Sequence, residues 1–328
     1  MIPNQWYAVL DSREVPRGRP VSFLRMGERL VFWRDQTGSV VCLRDACPHR
    51  GAALSGGKLL GESVQCPFHG FRFDSSGECR SVPALGKNVP PPKVLKAGSY
   101  PAREVHGWIW IFWGDIKDTL PPIPYFDDLD RSFSYATYPY LWNAHYSRII
   151  ENQLDVMHLP FVHYNTIGRG NRTVVDGPLA TLEDETIRLW VYNRQDDGIP
   201  ARRPDTLPSP KRAPFLYFRF PNIWENNISP DIRIVAAFAP IDEGHTILYL
   251  RTYQRVVRFP FLRELFNGIS LAGSWYIARQ DKSVVETQQP QKTDLHMDEH
   301  LVPGDGPVIL YRRHRRALLD VAGIPEKP

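Results

Sequence analysis

The chain has 328 residues, 42% of them hydrophobic and 23% charged, enough to bury a large core and to suit two domains better than one. Its net charge is only +4, no basic run is interleaved with aromatics, and the longest strongly apolar stretch, "GWIWIFWG", is far too short to span a bilayer. The expectation is a soluble, cytoplasmic protein that neither binds nucleic acid nor enters a membrane, and whose four cysteines, a poor disulfide framework at this length, are reduced thiols open to a metal.

Residues 21–43, "VSFLRMGERLVFWRDQTGSVVCL", are short β-rich runs broken by "MGE" and "DQTGS", which predict consecutive hairpins. "HGWIWIFWG" reads as the last strand of an all-β first domain, after which "DIKDTLPPIPYFDD" has the proline and aspartate density of a linker. The boundary is expected near Asp118, giving domains 1–118 and 119–328. The first carries 16 Lys/Arg against 11 Asp/Glu and the second 24 against 25, so a mildly basic face for an acidic protein partner falls in the first.

In the second domain, "SFSYATYPYLW", "TIRLWVYN", "FLYFRFPNIW", "DIRIVAAFAP" and "TILYLRTYQRVV" read as strands, the last two joined as a hairpin. Helices are predicted over about 148–159 and 261–288, so the whole chain is α+β. The stretch "NRQDDGIPARRPDTLPSPKRAP" reads as a mobile loop or a lid, and the basic "YRRHRR" near the end as a solvated helix face.

Chemistry concentrates in two places. Cys47-x-His49 and Cys66-x2-His69 present a mixed thiolate–imidazole pair on each of two loops. Such donors suit tetrahedral zinc or an iron–sulfur cluster, and one Cys with one His on each loop favours a [2Fe-2S] cluster in which two histidines hold one iron and two cysteines the other. "CPHRGAALSGG" with "CPFHGFRFDSSGEC" resembles a Rieske domain, down to the Pro after each Cys and the Gly after the second His.

The second place is "IIENQLDVMHLPFVHYN". His158 and His163 are five apart, roughly 140° on an ideal helix, so Pro160 is expected to bend the chain between them and let the imidazoles converge. Asp155, one turn before His158, is placed to hydrogen-bond its free ring nitrogen. For a third ligand, the stripe Ile269, Gly273, Ile277, Asp281, Val284 puts Asp281 on a buried helix face, where an unpaired carboxylate is costly and a metal remedies it; Glu286 and Asp294 are the fallbacks. Two histidines and one carboxylate describe a mononuclear Fe(II) site that activates O2.

"NQLDVMHLPFVH" and "RQDKSVVETQQP" are similar to the iron-binding segments of Rieske non-haem iron oxygenases, of the short type that works without a β-subunit. That resemblance implies a helix-grip (START/Bet v 1-like) catalytic domain and a homotrimer in which Asp155 bridges His158 to His69 of the next subunit, with Asn152 a polar residue near the iron. It implies a small organic substrate, aromatic or polycyclic, that is hydroxylated or demethylated, with a cis-dihydroxylating dioxygenase as the alternative and a non-catalytic electron carrier as a further one. No dinucleotide fingerprint is present, so electrons are expected from a separate ferredoxin or NAD(P)H-dependent reductase. Phe218, Phe220, Trp224, Trp275 and Tyr276 are candidates to line an apolar pocket, with Asn226 and Asn227 as polar contacts.

Overall fold

The computed structural model describes residues 1–116 and 119–325. The chain divides into a unit of residues 3–123 with 239–242 and a unit of 124–238 with 243–328. Asp118, the boundary expected from sequence, lies outside the described residues.

In the first unit the strands run β1 (Gln5–Asp11), β2 (Val21–Arg25), β3 (Glu28–Arg34), β4 (Val40–Arg44), β5 (Lys58–Leu60), β6 (Ser63–Gln65), β7 (Arg72–Phe73), β8 (Cys79–Ser81), β9 (Ser99–Tyr100), β10 (Ala102–Val105) and β11 (Trp108–Trp113). They form three small sheets, ordered β1-β11-β10, β2-β3-β4-β9 and β5-β6-β7-β8. The predicted hairpins are β2–β3–β4. Strands β3 and β4 are apolar on both faces because both are covered. Val31, Trp33, Val41 and Leu43 join the core that holds Cys47 and Cys66, while Leu30, Phe32, Val40 and Cys42 join a second core against β1 and β11.

The second unit contains β12 (Ser134–Trp142), α1 (Tyr146–Leu154), α2 (Leu159–Val162), β13 (Val174–Glu183), β14 (Thr186–Arg194), β15 (Leu216–Arg219), β16 (Ile223–Ser229), β17 (Ile232–Pro240), β18 (Thr246–Gln254), α3 (Pro260–Val285) and α4 (Gly306–Val321). Seven strands make one sheet in the order β12-β18-β17-β16-β15-β14-β13. Helix α3 packs on β12 and β18, α4 packs on β13 and β14, and α1 touches both helices.

Four expectations need correction. "FLYFRFPNIW" is two strands, β15 and β16, paired Arg219 to Ile223 across a tight turn at Phe220–Asn222; Pro221 has no N–H to give a ladder. Strand β13 was not foreseen, because Gly177 and Pro178 interrupt its alternation where the register shifts. On α3 the buried positions are Asn267, Ser274, Ala278, Asp281 and Val285, so the stripe inferred through Ile269, Gly273 and Val284 was out of phase; Ile269 and Val284 are exposed. Finally, "YRRHRR" is helical but not solvated: Arg312, Arg315 and Arg316 are buried, each with fixed partners, Arg312 gripping Glu151 through two hydrogen bonds of 2.9 and 2.7 Å.

Candidate functional site

In the first unit, Cys47 to Gly51 follows β4 and Cys66 to Gly70 joins β6 to β7. Both stretches read Cys-Pro-x-x-Gly, and the backbone treats them alike. Each cysteine N–H donates to the residue after the glycine (Ala52 O at 2.8 Å, Phe71 O at 2.7 Å), and each glycine N–H returns to the cysteine carbonyl at 2.8 and 3.1 Å. Gly51 and Gly70 both have φ +74°, left-handed geometry that suits glycine. The difference in Cys-to-His spacing thus reflects which of two central positions on one five-residue scaffold carries the histidine.

This scaffold buries Cys47 and Cys66 and leaves His49 and His69 exposed, their ring centroids 4.8 Å apart. Phe71 stacks on His49 at 4.8 Å, holding that ring. Burial, and then the neighbouring Cys66 sulfur, push the Cys47 thiol up to about 11, so cluster assembly must displace protons. Four donors of two kinds, with sulfurs inside and imidazoles at the surface, fit a [2Fe-2S] group held by two histidines and two cysteines. Cys42 belongs to the other core, and the Cys79 thiol donates to Ser81 O at 3.5 Å.

In the second unit, α1 ends at Leu154. Asp155 is extended, and its Oδ1 accepts from the Met157 N–H at 2.7 Å, re-starting the chain after two residues. His158 then stands at the N-cap of α2 and His163 at its C-cap. The expected bend at Pro160 is therefore misplaced. Pro160 lies in the first turn of α2, where it costs no hydrogen bond, and the break falls at Asp155, whose side chain supplies it. Convergence comes from one short helix with an imidazole at each end.

Across from it, α3 presents Asp281. His163 Nε2 lies 3.0 Å and His158 Nε2 3.4 Å from Asp281 Oδ1, and one ligand atom from each of the three residues lies within 4.8 Å of the others. Yet Asp281 Oδ1 is buried without a hydrogen bond, and so is His158 Nδ1 despite Asp155 Oδ2 at 3.4 Å. Close but misaligned donors of this kind are the state of a ligand set whose shared partner is a cation, and two imidazoles plus one carboxylate fit ferrous iron. Burial alone would raise Asp281, but His158 and His163 hold it down to about 2; burial would lower His158, but Asp155 and Asp281 outweigh it and push it up to about 9.

Gln280 was missed from sequence. Its Oε1 accepts from His163 Nδ1 at 3.0 Å and from Thr166 Oγ1 at 2.9 Å, while its amide donates to Asn165 at 2.8 Å, which fixes the acceptor toward the ring. Gln280 thus holds the proton on His163 Nδ1 and leaves Nε2, 3.0 Å from Asp281 Oδ1, as the ring atom that a metal would take. The only hint was its place beside Asp281, on a helix whose partner could not be read from the chain.

The fallback ligands take no part: Glu286 accepts from Asn143 N at 2.6 Å, and Asp294 from Leu295 N at 3.0 Å. Asn152, Trp224 and Asn226 line a cavity that ends on the His158/His163/Asp281 group. Phe218, Phe220, Trp275 and Tyr276 do not. Phe218 and Phe220 pack on Tyr311 of α4 at 5.4 and 5.5 Å, Trp275 lies under Arg279, and Tyr276 is largely exposed. Asn227, one residue on from Asn226, does not line the cavity.

Residues 5–101 match the family described as the Rieske [2Fe-2S] domain, and residues 142–321 the one described as the vanillate O-demethylase oxygenase C-terminal domain. The chain is 27% identical over 331 residues to methylxanthine N1-demethylase NdmA of Pseudomonas putida, covering 95% of this chain and 88% of that protein. It is 34% identical over 169 residues to the chloroplastic chlorophyllide a oxygenase of Chlamydomonas reinhardtii and 27% over 262 residues to the 3-chlorobenzoate-3,4-dioxygenase oxygenase subunit of Comamonas testosteroni. These matches cover 51% and 76% of this chain but only 25% and 58% of those two relatives. The solved structure of Pseudomonas putida CBB5 NdmA superposes with a TM-score of 0.75 at 25% identity, over 98% of this chain and 91% of the other.

Proposed function

Given that this chain belongs to the Rieske non-haem iron oxygenases, we propose that it uses O2 and externally supplied electrons to hydroxylate, or to O- or N-demethylate, a small organic substrate. The observation that carries this reading is the convergence of His158, His163 and Asp281 at the end of a largely apolar cavity. A relative named as an N1-demethylase, alike over nearly its whole length, favours the demethylating branch.

Cys47, His49, Cys66 and His69 would hold the cluster, and His158, His163 and Asp281 the iron. When bound, these groups supply single electrons and O2 activation. The chain's own residues do the rest. Gln280 keeps the proton of His163 on Nδ1. Asp155 faces Nδ1 of His158 and, in a homotrimer, would reach His69 of a neighbouring copy, making it the bridge between the two centres. Asn152, three residues before Asp155, lines the cavity, and the apolar walls would limit water at the reacting end. The balance is one C–H bond, O2, two electrons and two protons converted to one C–OH and water; hydroxylation of an O- or N-methyl group is followed by loss of formaldehyde. Electrons would come from a separate NAD(P)H-dependent reductase or ferredoxin, with the excess positive charge of residues 1–118 as its docking face. The setting would be the cytoplasm; among the described residues no helix is long and apolar enough to cross a membrane.

The test is reductase-dependent O2 uptake with formaldehyde analysis across methoxyarenes, N-methyl heterocycles, amines, sterols and polycyclic alkaloids. Uptake coupled to product is expected. With Asp155→Asn, both metals should remain bound while turnover falls at least a hundredfold; full activity in that variant would remove the bridging role.

A further inference from the structure

The cavity of the second unit holds about 900 Å³ of space, mouth included, between the sheet and helices α1 and α3. Its walls are mostly apolar, with Val191, Leu216, Ile234, Leu248 and Leu250 among them. The only charged or titratable groups that line it are Asp155, His158, His163 and Asp281, all at the iron-binding end; among the described residues no lysine or arginine does so.

Against that background three polar atoms stand out. Asn152 Nδ2, Trp224 Nε1 and Asn226 Oδ1 are buried and have no hydrogen-bond partner within the protein, although all three residues line the cavity. An unmet buried donor or acceptor costs about 1–3 kcal/mol, so such atoms persist where something other than the protein meets them. Asn226 is the sharpest case. In the sheet register it lies between Leu216 on β15 and Ile234 on β17, both cavity-lining, so a β-branched or aliphatic residue would pack better and suit the strand better there. Trp224, two residues earlier on the same face, is paired with Ala236, and both residues line the cavity.

We propose that this site selects an uncharged, largely apolar substrate bearing an amide-type edge, with a carbonyl for Trp224 Nε1 or Asn152 Nδ2 and an N–H for Asn226 Oδ1, and that it rejects aryl carboxylates and sulfonates. An anionic group buried against these apolar walls would meet no lysine or arginine, since Arg169 and Arg172 line only the adjoining pocket, and burying an unpaired charge is costly. This deepens the oxygenase reading for the reacting end, but it concerns binding and is measured without turnover.

The experiment is anaerobic calorimetric titration of the cluster- and Fe(II)-loaded protein with matched pairs, 4-methoxybenzamide against 4-methoxybenzoate and 6-methoxy-2-naphthamide against 6-methoxy-2-naphthoate, with 2-methoxynaphthalene as the apolar comparator. At least one amide should bind tenfold or more tighter than its carboxylate partner. Asn226→Leu should erase that preference while holding 2-methoxynaphthalene within threefold of the parent. Carboxylates binding as tightly as amides, an unchanged preference in Asn226→Leu, or no binding by either amide would overturn the proposal. Should the variant not fold, the parent's amide-to-carboxylate ratio decides alone. Reductase-coupled turnover is read separately: preferred amides that are never oxidised count against the oxygenase reading only, and oxidised carboxylates that outbind their amides count against this proposal only.

Discussion

At the scale of single residues, the His158, His163 and Asp281 group is a proton-binding site whenever metal is absent. His158 is pushed up to about 9 against an ordinary 6.5, because Asp155 and Asp281 outweigh the opposing effect of burial. The contribution of that pairing to the stability of the iron-free chain is complete below 6.5 and is lost as pH rises through about 9. Asp281, held near 2 against an ordinary 3.8, contributes above 3.8 and loses its contribution as pH falls through about 2. Since a metal must displace the His158 proton, Co(II) affinity measured at pH 6.5, 7.5 and 8.5 should rise about tenfold per unit; a flat profile would mean that no proton leaves. Gln280 acts through His163 as a positioning residue. Gln280→Leu should speed iron loss to a chelator by about 10–100-fold and change the spectrum of the Co(II)-substituted site, whereas Gln280→Glu, which still accepts from Nδ1, should restore retention.

At the scale of elements, α1 owes its place to a buried ion network. Arg312 of α4 grips Glu151 and also reaches Glu299 at 2.8 Å, and Arg148 meets the same Glu299 at 2.7 Å. Glu151→Ala leaves two buried guanidiniums short of a partner and should cost about 3–5 kcal/mol in denaturant unfolding; Glu151→Leu with Arg312→Met should recover much of it. Asn152 and Asp155 ride on this helix and the break after it, so iron retention should fall with stability in the single variant and return in the double. The sequence pattern revealed α1 and the helical character of "YRRHRR" but neither the amphipathic α4 as a whole nor the network. Glu151 and Arg312 are 161 positions apart, and nothing local says that a run of arginines turns inward. For the same reason the out-of-phase stripe on α3 arrived at Asp281: a 26-residue helix offers several apolar stripes, and only the neighbouring sheet selects one.

Considered whole, the two proposed metal centres fall on two separately organised units, so they should come apart experimentally. The loaded protein should hold about three irons and two sulfides per chain. His163→Ala should bring iron to about two while the visible spectrum of the cluster persists. Loss of the cluster in that variant would place His163 in the wrong centre.

What the chain determined unaided is chemical and local. Cys-Pro-x-x-Gly occurs twice with a histidine in each frame, Asp155, His158 and His163 follow one another within nine residues, and the β-rich runs and turns of β2–β4 and the alternation of β12 need no partner to be read, because ligand type, turn chemistry and strand propensity act over a few residues. Tertiary structure alone decided which carboxylate meets the histidines, that Gln280 orients His163, that Phe218 and Phe220 serve α4 while Trp224 and Asn226 face the cavity, and that Arg312 is buried. Each of those depends on contacts between segments tens to hundreds of residues apart, where burial and unmet hydrogen bonds, not local propensity, set the role of a side chain.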